Sequence, residues 1–404
     1  MSRRSGTTAL VPRSSHAADA AAREDRAVDV EAEPLERLRQ RTSEKWRAYP
    51  PDVLPLFVAE MDYPLAPPIV DAVVERVRAS DSGYVSGAAD AGVAFAGFAE
   101  RRWGWHLDPS RVRITTDVSV AIVEVLRRVI SPGDGVVITS PVYAPFADLV
   151  AEAGGRVVDV PLGPDHALDI GAIDAALGDG ARAVLISNPH NPLGLPHPAD
   201  ALARLAAIAA AHGAHVVADE IHGPLTWDAS AFTPFASVSD AAREWGVTVT
   251  SASKAWNLAG FKCALMVAAS DRGLAVLDGM FEEVTFRTSI LGYHATVAAF
   301  THGDEWLDGA IAAIRSSSQL LENLLASELP EVGYTPPSAS YLAWLDMRGL
   351  AWGDDPAGHA LEAGRVALNS GLTFGPSGAG FARLNFACSP EVLGEAVRRL
   401  AAAR

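Results

Sequence analysis

The sequence predicts an α/β fold: a large, mostly parallel sheet sandwiched by helices, followed by a smaller α+β unit. Three observations predict it. Short runs that are apolar on both faces recur between residues 64 and 300, as in strands covered on both sides. Helical patterns separate the earlier runs, which is the rhythm of βαβ units. Beyond residue 300 the rhythm changes to two helical patterns interleaved with two strand-like runs.

The buried runs are Gly135 to Thr139, Arg156 to Leu162, Ala181 to Ser187, Ala214 to Ala218, Val247 to Ser251 and Cys263 to Ala268. Asp200 to His212 is a representative helical spacer between them. The last two runs are about a dozen residues apart, too close for a long crossover helix, so one strand is expected to run antiparallel. Helices are then expected over Asp304 to Leu329 and Asp355 to Asn369, and strands over Ser340 to Asp346 and Phe381 to Ala387. Residues 1–32 read as a disordered tail. Its pair Arg3-Arg4 has no apolar stretch behind it, so no export signal is expected.

Composition narrows the function. The 404 residues are 49% hydrophobic and 20% charged, an ordinary globular balance with room for two to three domains. Lys and Arg number 33 against 49 Asp and Glu, a net charge of −16. Nucleic acids and anionic membrane surfaces need clustered positive charge, so neither is expected as a partner. No apolar run of about 18 residues is present to span a bilayer. Two cysteines, Cys263 and Cys388, rule out a disulfide framework and a Cys-rich zinc site, and point to a reducing, cytoplasmic location.

The 11 His are scattered without an H-E-x-x-H, so no metal is expected, and His212 and His215 read as helix-end and loop residues. No G-x-G-x-x-G follows an early strand, which speaks against a nicotinamide dehydrogenase. Cys263 reads as a buried apolar residue. Trp103 and Trp105 read as packing residues or contacts to a second copy.

Four polar clusters follow or interrupt buried runs, and ligands of α/β sheets bind at the carboxyl ends of strands. They are Ser187-Asn188-Pro189-His190-Asn191-Pro192-Leu193-Gly194, Ala218-Asp219-Glu220-Ile221-His222, Ser251-Ala252-Ser253-Lys254 and Ala382-Arg383-Leu384-Asn385-Phe386. Each has a plain structural alternative. Asp-Glu after a strand is often a helix cap. Ser-x-Ser-Lys is common in loops, and a strand Arg often snorkels to the surface. A carboxylate ending a buried strand nevertheless requires a cation or donor.

Together and in this order the clusters resemble those of fold-type I enzymes that use pyridoxal 5′-phosphate (PLP), the class I/II aminotransferase superfamily. The resemblance runs from about residue 50 to 400. Within it, Val58-Ala59-Glu60-Met61-Asp62-Tyr63, Asn188 to Gly194, Asp219-Glu220-Ile221-His222, Ser253 to Gly260 and Arg383 to Cys388 are similar to the MalY/PatB-like cystathionine β-lyases. Tyr341 to Asp346 and Phe374 to Gly378 extend the match. The resemblance implies a seven-stranded sheet in a large domain over 64–300. It also implies a small domain from both chain ends, comprising an arm over 33–63 and residues 301–404.

It also implies roles. Lys254 would carry PLP as a Schiff base and then take the substrate's Cα proton. Asp219 would pair with the pyridinium nitrogen. Asn191 would donate to the ring's phenolic oxygen, assisted by His222, and Tyr143 would stack on the ring. Ser251, Lys262 and the backbone N–H groups of Asp117 and Val118 would hold the phosphate at a helix N-terminus. The Asp117 side chain would then have to point away from the phosphate. Tyr84 would reach the phosphate of a neighbouring subunit's PLP and join its catalytic set, in a homodimer with shared sites. Arg383 would clamp the carboxylate of a small amino-acid substrate, beside Asn191 and Tyr341.

Glu60, Tyr63 and Leu193 depart from the residues usual in that group, in segments expected to line the substrate pocket. The implied reaction is β-elimination from a cysteine S-conjugate. Transamination, a bulky S-conjugate or decarboxylation-coupled substrate, and a regulatory binding role remain open on the residues alone, since Lys254 serves several of these routes.

Overall fold

The computed structural model describes residues 28–404. Of the tail expected over 1–32, residues 1–27 lie outside the described residues, whereas Val30 is buried in the core, so residues 28–32 pack with the folded unit instead of extending a disordered tail. The first strand is β1 (Leu54–Pro55). The main sheet follows: β2 (Val112–Thr115), β3 (Gly135–Ile138), β4 (Arg156–Asp159), β5 (Ala181–Ser187), β6 (His215–Asp219), β7 (Gly246–Thr250) and β8 (Ala264–Ala268). Its seven strands lie in the order β2-β8-β7-β6-β5-β3-β4. β8 is antiparallel to both neighbours, and every other pairing is parallel. The short β7–β8 link dictates this reversal, as the spacing predicts.

Alternation decides which face each residue serves. Val136 and Ile138 pack with Ile122, Val125 and Leu126 of the helix Val118–Val129, whereas Val137 packs with Leu202 and Leu205 of the helix Ala199–Ala211. Both faces are thus dry. Each Val or Leu so buried is worth roughly 1.5–3 kcal/mol, before the entropy of ordering the chain. β4 is one of the two edge strands, with Arg156 and Asp159 exposed. β2 is absent from the sequence reading because Arg113 interrupts its apolar run. That guanidinium leaves the sheet to meet Asp278 at 2.9 Å.

The smaller unit carries β9 (Gly333–Tyr334), β10 (Leu342–Asp346), β11 (Val366–Ala367), β12 (Asn369–Ser370) and β13 (Phe381–Asn385). Four of these form an antiparallel sheet in the order β12-β13-β10-β9. β11 pairs in parallel with β1, which ties the beginning of the described chain to its last part. The 25-residue helix Asp304–Glu328 lies where the sequence puts it.

The helix expected over Asp355 to Asn369 does not. It spans only Pro356–Glu362. Arg365 turns the chain with φ 53°, and Val366 and Ala367 then gain ladder bonds and burial against β1. Trp103 packs edge-on against Phe98 and Phe232, at 5.3 and 4.9 Å, and Cys263 is buried. His212 sits 2.8 Å from Asp174 at its helix end, whereas His215 is not in a loop but opens β6, where it lies against the Trp245 ring. Among the described residues no helix is long and apolar enough to cross a membrane.

Candidate active site

Because all strands of the main sheet except β8 run the same way, the segments after β2, β3, β5, β6 and β7 converge at one edge. There they enclose a cavity of about 520 Å³. Its walls include Lys254, Asp219, His222, Asn191, Tyr143, Asp117, Val118, Ser251, Lys262 and Arg383. Five segments of the large sheet and one strand of the small one therefore meet in one space. Tyr341 stands just behind the wall, fully buried, its ring 6.4 Å from that of His222. Tyr84 lies elsewhere. Its side chain is 84% exposed and touches Phe286, ring to ring, at 5.9 Å.

Lys254 is half-buried on the loop after β7. Its Nζ donates to the carbonyl oxygen of Ala59 at 2.9 Å. Burial, aided by the nearby Arg383 charge and opposed by Asp219, pushes its amine down to about 8. Asp219 ends β6, and its Oδ1 accepts the N–H of Ile221 at 3.1 Å. Burial pushes its carboxyl up to about 7, against the pull of that bond and of Lys254. His222 is driven down to about 3 by burial and by two neighbouring cations, so it is neutral, and its Nδ1 has no partner among the described residues. The adjacent Glu220 points away from the cavity. Its Oε1 accepts from the N–H of Phe235 at 2.6 Å and its Oε2 from Thr248 at 3.2 Å, so it anchors the loop.

Arg383 is the most informative charge. It is 4% exposed, yet no carboxylate pairs with it among the described residues. Its Nη1 donates to Asn191 Oδ1 at 3.1 Å and its Nη2 to the Phe57 carbonyl at 2.9 Å, while Nε has no partner among the described residues. The guanidinium carbon lies 5.1 Å from the Phe374 ring centre. Burial lowers its pKa to about 10, and it stays charged at neutral pH. A buried guanidinium without an anion is costly unless a ligand supplies one.

The segment 57–61 forms a strap over this space. Its five successive carbonyls all accept from side chains: Phe57 from Arg383, Val58 from Asn385, Ala59 from Lys254 and Tyr341, Glu60 from Lys45 and Asn385, and Met61 from Asn257 and Arg41. Asn257 also accepts the Met61 N–H at 3.0 Å, and the buried Lys45–Asp62 pair closes the strap at 2.6 Å.

The Asp117 side chain departs from expectation. It lines the cavity beside Lys262. Its Oδ1 caps the helix Val118–Val129 by accepting the Val120 N–H at 3.0 Å, and its Oδ2 lies 3.4 Å from Lys262 Nζ. An aspartate at the N-cap satisfies an otherwise orphaned N–H, which fixes this direction. The Ser251 hydroxyl donates to the Cys263 carbonyl at 2.7 Å. The departures at Glu60, Tyr63 and Leu193 do not line the cavity. Glu60 is held by the Ser43 hydroxyl at 2.7 Å, and Tyr63 and Leu193 are buried.

A family model described as aminotransferase class I and II matches residues 52–400. The chain belongs to the class I and II aminotransferase family. Within that family, a Mycobacterium tuberculosis protein provisionally named cystathionine beta-lyase is 44% identical over 393 residues, covering 91% of this chain and 96% of that one. The cystathionine beta-lyase of Corynebacterium glutamicum is 35% identical, covering 91% and 98%. A solved Corynebacterium diphtheriae structure, provisionally described as a PLP-dependent beta-cystathionase, superposes with a TM-score of 0.88 at 32% identity, covering 93% and 98%.

The residues fit the family's cofactor. An amine able to deprotonate near neutrality, a carboxylate at a strand end and an unmatched guanidinium face one cavity large enough for a pyridine ring and an amino acid. Sequence reasoning missed other wall residues: Phe57, Thr116, Ser119 and Asn369. Asn369 stands beside Arg383 in the β12–β13 ladder. Thr116 and Ser119 flank Asp117, and two hydroxyls around an N-cap are the signal that could have found them.

Proposed function

We propose that the protein is a PLP-dependent C–S β-lyase that cleaves a cysteine S-conjugate of the cystathionine type to a thiol, pyruvate and ammonia. One observation carries the reading. The depressed Lys254 amine shares a cavity with the Asp219 carboxylate and with an Arg383 that no carboxylate pairs with among the described residues. The cystathionine β-lyase names of the relatives support this outcome over transamination.

Lys254 would hold the cofactor, Asp219 its ring nitrogen, Asn191 and His222 its phenolic side, Tyr143 its ring face, and Lys262, Ser251 and the first-turn N–H groups its phosphate. Bound there, PLP supplies an electron sink for the bond broken at the substrate Cα. Arg383 binds the substrate carboxylate by parallel N–H bonds and so orients Cα towards Lys254. The neutral Lys254 amine takes the Cα proton, and the electron pair left behind expels the β-thiolate. Water then converts the three-carbon fragment to pyruvate and ammonia, so cystathionine and one water give homocysteine, pyruvate and ammonia. His222, held neutral, can accept or donate a hydrogen bond without adding charge. Tyr84, exposed on its own subunit, would reach the phosphate end of a second copy's site in a homodimer. Two free, buried cysteines suit a reducing cytoplasm.

The test is turnover of L-cystathionine with PLP and no keto acid. Continuous, equimolar release of thiol and pyruvate is expected. A single stoichiometric turnover that resumes only when keto acid is added would replace the lyase with an aminotransferase.

A further inference from the structure

At the phosphate end of the cavity, the groups that would receive an anion already have partners within the protein. Lys262 Nζ lies 3.4 Å from Asp117 Oδ2. The Ser251 proton goes to the Cys263 carbonyl at 2.7 Å. The positive end of the helix Val118–Val129 faces the Asp117 carboxylate, which also caps it through Val120. Asp117 lines the cavity itself, together with Val118 and Lys262. A phosphate entering here meets a fixed carboxylate as well as a cation.

We infer that Asp117 is an internal competitor of the cofactor phosphate, and that it limits how tightly this protein holds PLP. The inference rests on the cofactor reading above. Phosphate and carboxylate are like charges that seek the same lysine and the same helix end. Asp117 cannot swing clear without giving up the Val120 N–H, because one carboxylate makes both contacts. Cofactor affinity is therefore set lower than Lys262 and the helix would otherwise allow. The residue acts on retention of the phosphate and not on the reacting atoms, so it tunes the share of protein that is loaded when PLP is scarce.

The substitutions Asp117→Ser and Asp117→Asn test this, because both side chains keep the N-cap and so preserve the helix. Full-length wild type and variants would be stripped of cofactor, then titrated by equilibrium dialysis with PLP and, separately, with pyridoxal, which lacks the phosphate. Both variants are expected to bind PLP about tenfold more tightly, a like-charge contact having been removed. Their affinity for pyridoxal is expected to stay that of the wild type. Unchanged or weaker PLP binding by the variants, or equal tightening for pyridoxal, overturns the inference while leaving the cofactor reading intact. Absence of PLP uptake by the wild type and both variants would remove the cofactor reading itself, and this inference with it.

Discussion

Lys254 Nζ and the Tyr341 hydroxyl donate to one acceptor, the carbonyl oxygen of Ala59, at 2.9 and 3.1 Å. A carbonyl has two lone pairs, so both donors are accommodated. If Lys254 leaves that carbonyl, as the proposed mechanism requires, Tyr341 keeps it satisfied.

Tyr341→Phe removes this cover. Each departure of Lys254 then leaves a buried acceptor unmade, at about 1–3 kcal/mol. Turnover is expected to fall roughly tenfold or more with KM little changed. A steady-state comparison checks it. A rise in KM at constant kcat would instead place Tyr341 on the substrate.

The amine of Lys254 gives a pH dependence. Its pKa is pushed down from 10.5 to about 8, first by burial and then by Arg383, while Asp219 pulls it up. Only the neutral amine can attack the cofactor, so the rate of PLP capture should rise with pH up to about 8 and level off above it. Asp219→Asn removes the larger of the two charges, Asp219 and Glu60, that raise the pKa, so the midpoint should move to lower pH. Stopped-flow capture rates between pH 6 and 10 read both effects. A wild-type midpoint near 10.5 would contradict the burial argument.

Arg383→Lys keeps a charge but loses the planar fork. Nη1 and Nη2 now hold Asn191 and Phe57, and a lysine cannot hold both and a substrate carboxylate. The value of kcat/KM for L-cystathionine is expected to drop about a hundredfold, chiefly through KM. Unchanged KM would show that the carboxylate binds elsewhere.

Lys45 and Asp62 form a pair whose side chains are 0% and 1% exposed. Burial raises the Asp62 pKa, and Lys45 opposes that rise. Lys45→Met leaves the carboxyl without its cation and the Glu60 carbonyl with one donor fewer. A loss of about 3–5 kcal/mol is expected in urea unfolding. A loss below about 1 kcal/mol would mean that the strap does not depend on the pair.

What could be read from the sequence follows a physical rule. Asp219, Lys254 and Arg383 stand out because each places a charge in or at the end of an apolar run, where burial demands a partner. The reversal at β8 was legible because thirteen residues separate Thr250 from Ala264, too few for a crossover. The Ala59 carbonyl was not legible, since a backbone acceptor has no residue type to mark it. The direction of the Asp117 side chain follows from the Val120 N–H three residues on, a local capping contact that a family resemblance does not announce. The shortened helix at Pro356–Glu362 likewise reflects pairing with β1, more than 300 residues earlier, which no local pattern announces.

The central claim is that Lys254 is the amine on which the chemistry turns. The direct measurement is borohydride reduction of the PLP-loaded protein, followed by peptide mass mapping. One pyridoxyl adduct per chain, on the peptide containing Lys254 and absent in Lys254→Ala, is the predicted result. An adduct on Lys262, on Lys45, or on no lysine at all would contradict it.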